Sequence, residues 1–108
     1  MNNLNFGQAI ESLKNGKMVA RKGWNGKGMY LYLQKGKINA AYVVEEEAAG
    51  EPLHEYIDGI KASLFEPLMG DAVTIIPNIC MRTATGSIVN GWLASQTDIL
   101  AEDWTIVE

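Results

Sequence analysis

The tryptophans at positions 92 and 104 constrain this chain more than any other feature. They enclose a small polar run, Ser95-Gln96-Thr97-Asp98, followed by the apolar helix formers Ile99, Leu100 and Ala101. Ser95 or Thr97 suits the cap of a short helical turn, and Asp98 then falls in its first turn, where a negative charge complements the helix dipole. From Trp104 to Val107 the chain returns to a strand-like period of two. Buried aromatics are mostly structural, so the plain reading is two core residues around a shaped turn. The alternative is a polar patch displayed between two aromatic anchors.

Upstream, the elements follow from periodicity and turn chemistry. Phe6, Ala9, Ile10 and Leu13 fall on one face of a helix over residues 5–15, with Asn5 as its cap and Asn15-Gly16 as its left-handed stop. A helix this short holds only if its apolar stripe packs on the sheet that follows. Met18 to Arg21 reads as a strand. It ends in a loop, residues 22–28, with three glycines around Trp24. Residues 29–33 read as the next strand, Lys35-Gly36-Lys37 as a hairpin turn, and residues 38–44 as the returning partner.

Residues 45–71 change character, with Glu45-Glu46-Glu47, two prolines and scattered apolar positions. They read as an insertion or extended loop, with His54, Ile57, Ile60 and Leu64 on a short irregular helix. Residues 73–76 and 79–82 are strand-like on either side of Pro77-Asn78, where proline implies an edge, a bulge or two separate strands. Thr83 to Gly86 is a tight turn that closes a hairpin with Ser87-Ile88-Val89. The order of elements predicts an α+β fold: one small domain over 1–108, built on an antiparallel sheet with an N-terminal and a short C-terminal helix.

Size and charge narrow the function. A chain of 108 residues supports one modest core. No apolar run approaches the roughly 20 residues of a membrane helix, and residues 2–17 are too polar for a signal peptide. The one cysteine, Cys80, excludes an intramolecular disulfide and suits a reducing cytoplasm. Its apolar surroundings point to a buried role rather than a nucleophile.

The net charge of −4 hides a division. Residues 1–44 carry seven Lys or Arg against Glu11 alone, and residues 45–108 carry two against twelve acids. No basic stripe runs along a helix, which speaks against long DNA or RNA as a partner, while the basic half leaves room for a small anion.

Catalysis has no constellation behind it. His54 is the one histidine and lacks a second ligand at zinc spacing. Asp98, Glu102 and Asp103 form at most a carboxylate pair on a short helix. Binding has more support. Arg21, Lys22 and Lys27 flank Trp24-Asn25-Gly26: an indole face for a base, a bidentate amide, cations for phosphate, and glycines that allow close backbone approach. An ordinary glycine-rich turn over a packed Trp24 accounts for the same residues equally well.

The run from Arg21 to Met29 with Leu31 and Leu33 resembles the first signature of the phage Thoeris anti-defence type two proteins. Residues 81–89 followed by 92–104 look like the second, and the match takes in residues 5–33 and 79–107. The resemblance implies a non-enzymatic sponge. It would sequester nucleotide immune signals, chiefly glycocyclic ADP-ribose made by TIR proteins and in some members cyclic dinucleotides made by cGAS-like enzymes, and so keep the effector silent. It also implies a homotetramer with ligand held where subunits meet, no cofactor, and action in the cytoplasm of the infected bacterium.

On that reading Trp24 stacks on a base, Asn25 bonds base or ribose beside Gly26, and Arg21 and Lys22 neutralise phosphates. Arg82, Thr83, Gln96 and Asp98 supply polar contacts from the second signature. Trp24→Ala is then expected to weaken binding and leave the fold intact. Two departures stand out: Thr85 occupies a turn position where family members commonly carry Asp, and residues 45–71 are longer than expected. The rival readings are an enzyme that cleaves the same nucleotide and an acidic module that inhibits a host protein.

Overall fold

Asn5 and Gln8 start the first helix by capping each other. The Asn5 side chain accepts from the Gln8 N–H at 2.8 Å, and the Gln8 side chain accepts from the Asn5 N–H at 2.9 Å. This capping box opens α1 (Phe6–Lys14), which stops at Asn15 and at Gly16, whose φ is +82°. A computed structural model describes residues 3–24, 26–40, 42–46, 53–57, 59–61, 64 and 73–107. It divides into two compact units, Met1–Lys35 with Pro77–Glu108, and Gly36–Ile76.

The first unit carries α1 and a five-stranded antiparallel sheet. Its strands are β1 (Met18–Arg21), β2 (Tyr30–Gln34), β8 (Asn78–Arg82), β9 (Ile88–Asn90) and β10 (Trp104–Val107), in the order β10-β1-β2-β8-β9. A five-residue helix, α2 (Gln96–Leu100), precedes β10. This is the expected α+β arrangement on an antiparallel sheet. The apolar stripe of α1 packs as its periodicity required: Ala9 and Leu13 are buried with Leu4, Val19, Leu31 and Trp104, and Phe6 and Ile10 lean on that cluster. Each fully buried aliphatic side chain contributes roughly 1.5–3 kcal/mol. Cys80 is buried, as its neighbours implied.

The second unit holds the remaining strands among the described residues. β3 (Lys37–Ala40) pairs with β7 (Val73–Ile75). Separately, β4 (Tyr42–Glu46), β5 (Leu53–Ile57) and β6 (Ile60–Lys61) form a three-stranded antiparallel sheet.

Two expectations are corrected here. The hairpin of residues 29–33 with 38–44 does not form, because a strand has two edges and those of β2 are taken by β1 and β8. Lys37–Ala40 pairs with β7 and Tyr42–Glu46 with β5 instead. The helix expected through His54, Ile57, Ile60 and Leu64 is replaced by strand at its first three positions. His54 and Ile57 lie in β5 and Ile60 in β6, joined through Gly59 at φ +84°, a left-handed turn that ends one strand and starts the next. At Pro77, two separate strands is the outcome, one in each unit.

The turn from β8 to β9 is the tight one expected. The Gly86 N–H donates to Thr83 O at 3.0 Å with φ +90°, and the Thr83 N–H donates to Ser87 O at 2.8 Å.

Candidate functional site

Arg21 ends β1, and β1 pairs with β10 so that Arg21 faces Trp104 in register. The residue before Trp104 therefore lies level with the start of the loop at 22–28. That residue is Asp103. Its carboxylate accepts from Arg21 Nε at 2.8 Å and from the Gly23 N–H at 2.8 Å, while its carbonyl accepts from the Lys22 N–H at 3.1 Å. One side chain thus fixes both the arginine and the entry to the loop.

Asp98 completes the arrangement from α2. Ser95 caps that helix: its Oγ accepts from the Asp98 N–H at 3.1 Å, and the Asp98 carboxylate accepts from the Ser95 N–H at 3.2 Å. The other carboxylate oxygen accepts from Arg21 Nη1 at 2.9 Å and from the Trp24 indole N–H at 3.2 Å. The Asp98 carbonyl accepts from the buried Trp104 indole N–H at 3.0 Å.

The electrostatics follow from these contacts. The Arg21 hydrogen bond, with help from the Gly23 N–H, holds the Asp103 carboxyl below the usual carboxylate range against partial burial. For Asp98, burial pushes upward and is outweighed by hydrogen bonds from Arg21, Trp24 and Ser95, so it too titrates low. Asp103 first and Asp98 second raise the guanidinium in turn.

The aromatic residues share the same ground. Trp24 sits edge-on to Trp104, with ring centroids 5.4 Å apart, and to Trp92 at 6.4 Å; Trp92 and Trp104 are 6.3 Å apart. Edge-to-face pairs at these distances are attractive beyond the area they bury. Trp24 packs against the core cluster, so Trp24→Ala removes core packing as well as any ligand contact.

The far end of the loop rests on the β8–β9 turn. A Cβ added to Gly26 would fall 2.7 Å from the Ala84 Cβ and 2.6 Å from the Met29 Sδ, so only glycine allows this approach. Gly28 has φ +75°, and its carbonyl accepts from Arg82 Nη1 at 2.8 Å. The Arg82 guanidinium lies 5.9 Å from the Tyr30 ring centroid, within cation–π range.

The fold therefore brings the two sequence signatures together. Arg21, Trp24 and Asp98 form one bonded cluster, and Gly26 and Arg82 form the loop-to-turn contact. Lys22 is exposed with Nζ 3.2 Å from Asn3 Oδ1, and Gln96 is exposed at the start of α2. The Thr83 hydroxyl is 2.6 Å from that of Ser87. Asn25 lies outside the described residues.

Asp103, read in the sequence only as half of a carboxylate pair, is a main brace of the loop. Its signal is the strand register beside Arg21, which sequence spacing does not carry. Asp98 and Asp103 meet through Arg21, which donates to both carboxylates. Among the described residues, no group of three His, Cys, Asp or Glu side chains is arranged to hold a metal ion. A surface depression of about 380 Å³ beside Leu4, Gln8, Ser12 and Ile106 contains none of the candidate residues.

The Thoeris anti-defense 2-like domain matches residues 4–107. Thoeris anti-defense 2 of Bacillus phage SP01 is 39% identical over 104 residues, covering 96% of this chain and 94% of that protein. The chain belongs to the Thoeris anti-defense 2-like family. Membership implies a part in phage anti-defence, and it spans both signatures as well as the segment between them. No helix among the described residues is long and apolar enough to cross a membrane.

Proposed function

We propose that this Thoeris anti-defense 2-like protein is a sponge: it binds a cyclic nucleotide immune signal in the infected bacterium and holds it, uncleaved, away from its effector. The ligand is glycocyclic ADP-ribose, with cyclic dinucleotides as a second class. The observation that carries this reading is the junction of loop 22–28 with the second signature, in a chain that matches the family from end to end. A loop held at both ends loses little entropy on binding, which is how a small protein reaches high affinity. To outcompete an effector the dissociation constant should be nanomolar, about −12 kcal/mol.

Assembly belongs to the same proposal. On the edge strand β9, Ile88 and Val89 are exposed, and beyond it Leu93 is 90% exposed. Among the described residues nothing pairs with the outer edge of β9, and a sheet edge with apolar side chains invites a further chain. A homotetramer would cover it and place ligand where subunits meet.

The deciding experiment is retention. Purified protein is mixed with glycocyclic ADP-ribose or a panel of cyclic dinucleotides, freed of unbound ligand by filtration and heated, and the released material is weighed by mass spectrometry. Intact nucleotide supports the sponge. A cleaved product would make the protein an enzyme, and no nucleotide from either class would remove the reading. Light scattering on the same sample reports the subunit number.

A further inference from the structure

The charge balance separates the two arginines of the site. Arg21 faces two carboxylates, Asp98 and Asp103, so its cluster is net negative and repels a phosphate rather than attracting one. Arg82 stands differently. Its guanidinium is held in place by the Gly28 carbonyl and the Tyr30 ring, and among the described residues no carboxylate lies in ion-pair range of it. The sequence explains why. No Asp or Glu occurs between Glu11 and Glu45 or between Asp71 and Asp98, the stretches that supply the loop and the turn meeting at Arg82.

The turn that follows Arg82 carries a ring of hydroxyls. Thr83 Oγ1 is 2.6 Å from Ser87 Oγ and 3.1 Å from Thr85 Oγ1, and the last two are 3.3 Å apart. Each hydroxyl has one proton and two lone pairs, so in the free protein the three bond one another, and each can swing its proton outward to an anion. Gly86 links the ring to the cation: it lies between Thr85 and Ser87, and a Cβ on it would sit 3.6 Å from Arg82 Nη2. Lys27 adds a second exposed cation nearby, between Gly26, which abuts Ala84, and Gly28, which abuts Arg82.

We propose that Arg82, Thr83, Thr85 and Ser87 form a phosphate subsite on the β8–β9 turn, suited to a diphosphate or phosphodiester group. The phosphate role passes from Arg21 to Arg82. A charge-assisted bond from a guanidinium already in position, with neutral hydroxyl donors on the same turn, is the usual chemistry of phosphate recognition. That the phosphate belongs to a cyclic nucleotide rests on the sponge reading; the subsite itself does not.

The test uses the full chain labelled with ¹⁵N and inorganic pyrophosphate as the probe. Saturable shifts are expected at the amides of residues 83–87 and at the Arg82 side-chain N–H, weakening with salt. T85D, which puts a carboxylate into the hydroxyl ring, should weaken pyrophosphate by roughly tenfold or more. T85V, which removes only the hydroxyl, should weaken it by about threefold and decides the matter if T85D perturbs the fold. Shifts that avoid the turn, or an affinity unchanged in the folded variant, overturn the subsite. Nucleotide retention by wild type is scored in parallel. Pyrophosphate on the turn with no nucleotide retained removes the sponge and leaves the subsite. Nucleotide retained with no pyrophosphate on the turn does the reverse.

Discussion

Arg21 and Asp98, 77 residues apart in sequence, meet with Nη1 2.9 Å from Oδ1 and with both side chains largely shielded from water. This contact, with Asp103 on the Nε edge of the guanidinium, joins the first strand to the last helix and braces the entry to the loop after β1. A charge removed from such a cluster leaves a partner without its counter-ion, which costs more than the pair contributes.

Arg21→Gln should therefore lower stability by about 2 kcal/mol, between the values for exposed and fully buried pairs. Urea denaturation reads this as a lower midpoint at unchanged slope. A midpoint equal to that of wild type would mean that the cluster adds nothing to the fold.

The same contacts set a dependence on pH. Asp98 and Asp103 both titrate below the ordinary carboxylate range in the folded protein. An unfolded aspartate titrates near 3.9, so between that value and the folded ones the unfolded chain binds more protons. The stability these groups contribute is complete above about pH 4–5 and is lost as pH falls through the folded values. Asp103→Asn should be less stable than wild type at pH 7, and the gap should shrink on going to pH 3. A gap that stays constant with pH would show that the Asp103 charge is immaterial.

The glycines offer a paired test. Gly26→Ala puts a methyl group 2.7 Å from the Ala84 Cβ, so the loop must shift; overpacking of this kind costs about 1–3 kcal/mol. Gly16→Ala meets no atom within 4 Å but sits at φ +82°, so its cost is backbone strain alone, about 1 kcal/mol. Both should lower the melting temperature, and only Gly26→Ala should also weaken nucleotide binding. Equal effects on binding would detach the loop-to-turn contact from the site.

What could be read in the sequence was what short-range chemistry writes there. Asn5 with Gln8, Ser95 with Asp98 and the left-handed Gly16 and Gly86 mark their own helices and turns, and α1, α2 and the β8–β9 hairpin stand where these residues imply. Strand pairing across long separations carries no such mark. Tyr30 to Gln34 has the same pattern whether its neighbour is residues 38–44 or 78–82, and the choice is made by the core, where Leu31 is buried beside Val19. The candidate site was legible as a set of residue types. That Asp103 faces Arg21 depends on the register of β1 with β10.

Trp24 bears on both stability and binding, and two substitutions separate its parts. Trp24→Ala removes a ring that lies edge-on to Trp104 and Trp92 and that packs on the core, so it should destabilise by about 3 kcal/mol, the lower end for loss of a large aromatic. A loss of affinity in that variant would not by itself locate the ligand. Trp24→Phe keeps an aromatic face and deletes the indole N–H that Asp98 accepts at 3.2 Å. If the ring stacks on a base, calorimetry should give Trp24→Phe an affinity within about fivefold of wild type and Trp24→Ala a loss of tenfold or more, about 1.4 kcal/mol. If instead Trp24 serves only to anchor Asp98 and the loop, Trp24→Phe should lose as much affinity as Trp24→Ala. Equal losses in the two variants would therefore assign Trp24 to the scaffold and leave the base to another surface.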